Sequence, residues 1–217
     1  MKIASLNIVL RFLLLFALSV TSGISLSAKR VVESGDNSPG FSYSADSDAS
    51  EPIIRYQLNV EMLANIPDRQ TISIFGDGRV VVHNPDYMKK SGDFEMWLTA
   101  KELDQLVTDL SNDGLMDFDH EKAQGRVKAA RKAMRDKGRF YAISDDVETV
   151  IDIRLEEFQK DKKSKKIKNF NKQFRWKNLP QEAARFSNDT ALVRANHAAD
   201  RLAAMKKDSR LVRTGRP

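Results

Sequence analysis

The 217-residue chain contains no cysteine. Disulfide stapling, thiolate catalysis, cysteine-based metal sites and a lipid anchor on an N-terminal cysteine are therefore excluded, and the fold must stand on its hydrophobic core. Histidine is also scarce, at three, which leaves few nitrogen ligands for zinc. The sequence carries no G-x-S-x-G, no H-E-x-x-H, no phosphate-binding glycine loop, no dinucleotide fingerprint and no Ser-His-Asp order. No cofactor or metal signature is present, and the chain reads as a non-enzyme. Its most apolar run, Phe12 to Val20, has nine residues, against the ~20 that a membrane-spanning helix needs.

That run has a different meaning. Lys2 and Arg11 precede it, and the small residues Thr21-Ser-Gly23 and Ser25-Leu-Ser-Ala28 follow. A basic start, a short apolar core and a small-residue exit are the three parts of a secretory signal. Residues 1–28 are accordingly read as a cleavable signal peptide, with cleavage after Gly23, Ser25, Ser27 or Ala28. The protein is then exported, periplasmic or secreted, and has no transmembrane segment after cleavage. Its formal charge of +6 falls to +4 once Lys2 and Arg11 are removed, too mild an excess for a nucleic-acid-binding composition.

Residues 29–51 are rich in Ser, Asp and Gly. Such a composition buries little surface to offset ordering entropy, and a flexible leader is expected. From Ile54 to Met62, Ile, Tyr, Leu, Val and Met alternate with Arg55, Gln57, Asn59 and Glu61, the period of a half-buried strand. Strands at Thr71–Phe75 and Arg79–His83 flank Gly76-Asp-Gly78, a hairpin signal. Thr99 and Glu102 form a capping box before the stripe Leu103, Leu106, Val107 and Leu110, and Gly114 stops the helix. A second helix is expected over Glu121–Arg139, a fourth strand from Val147 to Leu155, and a hairpin tip at Lys160–Lys166. A fifth strand over Ile167–Trp176 and helices after Leu179-Pro180, interrupted near Asn188-Asp189, complete the order. These elements predict a single α+β domain over residues 52–206, with an antiparallel sheet of about five strands and helices packed mainly on one face. The basic segment 121–139 is an insertion in it, and residues 207–217 form a basic disordered tail.

Four segments also carry a resemblance: Ile72-Ser-Ile-Phe-Gly-Asp-Gly-Arg-Val80, Leu98-Thr-Ala-Lys-Glu-Leu103 with Leu106 and Leu110, Ser144-Asp-Asp-Val-Glu-Thr-Val-Ile-Asp-Ile153, and Leu179-Pro180. Their order resembles an uncharacterised family of small bacterial exported domains over roughly Ile53 to Met205. The motifs are folding motifs, so the resemblance implies an exported α+β domain and no activity. The long Glu121–Arg139 segment and the extended C-terminal helix depart from its pattern.

The basic segment is the most distinctive candidate surface. Lys122, Arg126, Lys128, Arg131, Lys132, Arg135 and Arg139 surround a narrow stripe of Ala123, Val127, Ala130 and Met134. Such a helix suits an anionic envelope component or an acidic protein, although a solvated helix packed on the domain explains the same pattern. The lysines from Lys160 to Lys168 with Phe170, Phe174, Arg175 and Trp176 could form a basic-aromatic nucleic-acid surface. An exposed hairpin leading into a core-facing strand is the plainer reading, and nucleic acid is an unlikely partner for an exported protein. Acidic residues near Asp119 and Asp145 supply the alternative of a periplasmic hydrolase or hydrolase inhibitor; local turn and cap bonding accounts for them equally. The leading expectation is an exported non-catalytic binding module of the bacterial envelope.

Overall fold

The computed structural model describes residues 28–60, 68–140 and 146–214. The expected signal, apart from Ala28, lies outside them, as do Met62 and Asp145. The strands are β1 (Lys29–Val32), β2 (Gly40–Ser44), β3 (Ile54–Val60), β4 (Thr71–Ile74), β5 (Arg79–Asn84), β6 (Gly92–Trp97), β7 (Val147–Gln159), β8 (Ile167–Lys177) and β9 (Val212–Thr214). The helices are α1 (Ala100–Asn112), α2 (His120–Asp136), α3 (Leu179–Arg185) and α4 (Thr190–Ala204).

All nine strands join one antiparallel sheet in the order β1-β2-β7-β3-β4-β5-β6-β9, with β8 on the other edge of β7, and the sheet curls into a half-barrel. The expected sheet of about five strands with helices packed on one face is therefore incorrect. Three of the four additional strands, β1, β2 and β9, come from stretches whose composition argued against order, and β6 from the connection between the third expected strand and α1. β1 and β2 arise within 29–51, where Phe41 and Tyr43, at 3% and 1% exposure, give β2 a buried face despite its polar surroundings. β6 pairs residue by residue with β5 from Arg79↔Trp97 to Asn84↔Gly92, and β9 lays part of the expected tail along β6.

The core follows from register. Tyr56 stands opposite both Ile72 and Ile151, Ile54 opposite Ile74 and Ile153, Val80 opposite Met96, and Ile151 opposite Phe174. Directly opposed residues share a face, so the period-two pattern of each strand merges into one apolar surface. Leu103, Leu106, Val107 and Leu110 of α1 and Leu192, Ala195 and Leu202 of α4 join the same cluster. The capping box of α1 is formed, with Thr99 Oγ1 accepting from the Glu102 amide at 3.2 Å and the Thr99 amide donating to Glu102 Oε2 at 2.7 Å. Two turn glycines are obligatory: a Cβ on Gly76 would stand 1.8 Å from the Ser44 carbonyl oxygen of β2, and Gly78 has φ +95°. The hairpin between β4 and β5 is thereby pressed against the segment expected to be a free leader.

His83 on β5 clamps two neighbours. Its Nδ1 lies 2.5 Å from Asp93 Oδ1 on β6 and its Nε2 lies 2.5 Å from Asp68 Oδ1. Partial burial disfavours the charged ring, but hydrogen bonds and attraction to Asp93 and Asp68 outweigh it and raise the pKa above its ordinary value. The hydrogen bond to His83 holds Asp68 below the carboxylate range. The raised His83 pKa contributes stability that is full below about pH 6.5 and is lost as pH climbs through the folded-state value. The lowered Asp68 pKa contributes above about pH 4 and is lost on acidification through its folded value. Thermal melts of His83→Gln should thus fall furthest below the parent near pH 5.5 and converge with it by about pH 9; a constant gap would contradict the clamp.

Candidate anion-binding cleft

α2 begins where Asp119 caps it, its side chain accepting from the Lys122 amide at 3.0 Å. Ala123 and Val127 are buried, Ala130 and Met134 pack against the core cluster, and the cations fan out on the two flanks. The helix is thus present as expected, ending at Asp136, but its charges have unequal duties.

On one flank Arg126 makes a two-pronged bond to Asp189, with Nε to Oδ2 at 2.7 Å and Nη2 to Oδ1 at 2.9 Å. Asp189 also caps α4 through the Leu192 amide at 3.2 Å, so this bond pins α2 to the start of α4. It also holds the Asp189 carboxyl below its usual range. Lys122 pairs with Asp119 at 2.8 Å and Lys132 with Asp136 at 3.0 Å, both as exposed pairs within or beside the helix. Arg139 lies beyond the helix end and is exposed. These four of the expected site residues do not converge.

The other flank does converge. His120, Gln124, Lys128, Arg131 and Arg135 line an open cleft of about 780 Å³, closed opposite by Asp146, Glu148, Arg175, Trp176, Lys177, Asn178 and Glu182. The spacing 120, 124, 128, 131, 135 is that of a single helix face, a signal legible in the sequence although all seven cations stood there as one surface. Trp176 forms the inner wall, edge-on to His120 at 5.2 Å and to Phe118 at 6.0 Å between centroids. Asn178 has φ 53° and joins strand to helix, accepting from the Val147 amide at 3.0 Å and donating to Asp146 at 2.7 Å. Sequence reasoning missed Asn178 and Glu182, because their role depends on the β8–α3 junction meeting α2.

Most of the cleft's charge is compensated. Arg131 Nη2 binds Glu182 Oε1 at 2.7 Å, Lys177 binds Asp146 at 2.8 Å, and Arg175 lies 3.5 Å from Glu148. Glu182 is 1% exposed, and its Oε2 has no hydrogen-bond partner among the described residues. Lys128 and Arg135 make no ion pair among the described residues and leave the cleft cationic. Asp146, Glu148, Arg175 and Lys177 are shared with an adjacent recess of about 520 Å³ beside Gln57 and Asn59. Of the acidic positions considered for hydrolysis, Asp119 is a helix cap outside the cleft lining, and Asp145 lies outside the described residues. Among the described residues no group of three or more His, Asp or Glu is placed to hold a metal ion, and no helix is long and apolar enough to cross a membrane.

No protein-family model matches the chain, and neither a curated protein nor a solved structure matches it.

Removing Arg131 strands a buried carboxylate, whereas removing Lys132 breaks only an exposed pair. Breaking a fully buried pair costs about 3–5 kcal/mol. Arg131 is 47% exposed, so solvent discounts this to about 2 kcal/mol for Arg131→Ala. Urea unfolding should show that loss, with Lys132→Ala within about 0.5 kcal/mol of the parent.

Proposed function

We infer that the protein is an exported, non-catalytic binding module of the bacterial envelope that receives an anionic group of a partner in the cleft between α2 and the β8–α3 junction. The observation that carries the reading is the pair Lys128 and Arg135. Their neighbours in the cleft are neutralised by Glu182, Asp146 and Glu148, and these two have no counter-ion among the described residues. Two exposed cations without a counter-ion among the described residues, above a balanced polar floor, attract an anion without the desolvation penalty of a fully buried charge.

The recessed position favours an acidic side chain or segment of a partner protein over a bilayer surface. A flat membrane meets the rim of such a cleft, and the apolar stripe of α2 offers no Trp, Phe or Leu to insert. Export rests on the basic, apolar and small-residue parts of residues 1–28, and the resemblance to small bacterial exported domains agrees with it.

Binding of the processed protein to polyglutamate and to anionic phospholipid vesicles, compared at low salt, tests the reading. Replacing Lys128 and Arg135 together by Gln should weaken polyglutamate binding by about tenfold, two exposed charge contacts of roughly 0.7 kcal/mol each. Lys132→Gln should leave it unchanged. Raising the salt should narrow the difference, because exposed charges are screened. Equal binding by the double variant and the parent at low salt would overturn the assignment, and stronger binding to vesicles than to polyglutamate would replace the acidic partner by a lipid surface.

A further inference from the structure

The strands that end the sheet are short, four residues in β1 and three in β9, and short edges offer little backbone for another chain to pair with. β8 differs. It runs for eleven residues and pairs only with β7 among the described residues. The direction of its backbone groups follows from the alternation of an antiparallel ladder. The Asn178 amide donates to the Val147 carbonyl at 2.7 Å, so in this register the even-numbered residues from Phe170 to Trp176 turn their N–H and C=O groups towards β7. The Arg154 amide agrees, because it points away from β8 to the Ile53 carbonyl, and its opposite number Asn171 turns outward. Asn171, Gln173 and Arg175 thus present their backbone groups along the free edge. All three residues are exposed, and no described segment bonds to those groups. The left-handed residues Asn169 and Asn178, with φ 50° and 53°, bound the stretch.

That edge looks into the cleft. Consecutive strand residues point to opposite faces of a sheet, so a cleft lined by Arg175, Trp176 and Lys177 together has to run past the edge of β8, with α2 as its far wall. We propose that the occupant of the cleft is an extended acidic segment of a partner protein, which adds to β8 as a further strand through the backbone of Asn171, Gln173 and Arg175 and turns acidic side chains towards Lys128 and Arg135. The proposal rests on the anion-binding reading of the cleft and adds the backbone conformation of what binds there. When a strand is added to a free edge, main-chain hydrogen bonds give affinity and the flanking side chains choose the partner. Here they choose by charge. β8 carries Lys168, Lys172, Arg175 and Lys177 and no acidic residue. The β8 edge of a second copy would set like charges opposite one another, which is unfavourable, whereas an acidic strand is attracted.

The test uses the processed protein and short peptides in which Glu alternates with Thr. One peptide is unmodified, a second is N-methylated on every Glu and a third on every Thr, so the charge stays the same while donors are removed from one edge of the strand or the other. At low salt the unmodified peptide at saturation should slow hydrogen exchange of the Asn171, Gln173 and Arg175 amides by about tenfold or more. The amides of Phe170, Lys172 and Phe174, already bonded to β7, should change little. One methylated peptide should bind as the unmodified one does and the other about tenfold more weakly, the loss of roughly two ordinary hydrogen bonds. Gln173→Pro removes one outward donor without touching the β7 ladder and should bind the peptide several-fold more weakly than Gln173→Ala does. Unchanged exchange at the three amides, or equal binding of the two methylated peptides, overturns the added strand. Failure of the unmodified peptide to bind overturns it too. The anion-binding reading falls with it only if replacing Lys128 and Arg135 by Gln also leaves polyglutamate binding unchanged. Slow exchange of the same amides in the protein alone, growing with its concentration, would replace the acidic segment by a second copy of the chain.

Discussion

Thirteen residues of β7 must satisfy their backbone hydrogen bonds on both edges inside a packed protein, and the rest of the architecture answers to that requirement. One edge is covered along almost its whole length by β8, from Glu148↔Lys177 to Phe158↔Ile167. The other is covered by β3 only from Val147 to Ile153. β2 takes over at Glu157, Phe158 and Gln159, and the Arg154 amide bridges the gap by donating to the Ile53 carbonyl at 2.8 Å. A long strand buried on both edges thus recruits an extra strand from a segment whose composition does not call for one. Once β2 is in place, β1 covers it, and the N-terminal part of the domain becomes structural.

The basic helix shows the same economy in electrostatics. Its charge is not a uniform surface. Arg126 and Arg131 reach Asp189 and Glu182 and hold α2 to α4 and α3, whereas Lys128 and Arg135 face a cleft whose other charges are paired. Two carboxylates largely removed from water, 8% and 1% exposed in their side chains, decide which cations are structural. The count of basic residues says little about binding, and the pairing of each one says a great deal. The inferred function follows from the cations left over by folding.

Local signals proved legible and distant ones did not. α1 was readable from end to end, because its cap, stripe and stop all lie within the sequence around the helix itself: Thr99, Glu102, Leu103 to Leu110 and Gly114. The hairpin at Gly76 to Gly78, the β7–β8 hairpin with its lysine tip, and the break before Thr190 were equally local. β2 was hidden because only Phe41 and Tyr43 mark it, amid serine and glycine, and its partner lies more than a hundred residues away in β7. β9 is three residues long and depends on an edge offered by β6. For the cleft, the helix face 124, 128, 131, 135 was present in the spacing, but Glu182 and Asn178 join it only through a junction that no pattern in the chain announces.

Native-state hydrogen exchange measured residue by residue tests the central role of β7 most directly. If β7 and the strands it recruits form one cooperative unit, the amides of Phe41 to Tyr43 should exchange with protection close to that of Ile151 to Leu155, near the level set by global unfolding. Exchange of the Phe41 to Tyr43 amides at the rate of an unstructured chain, with β7 still protected, would contradict the account.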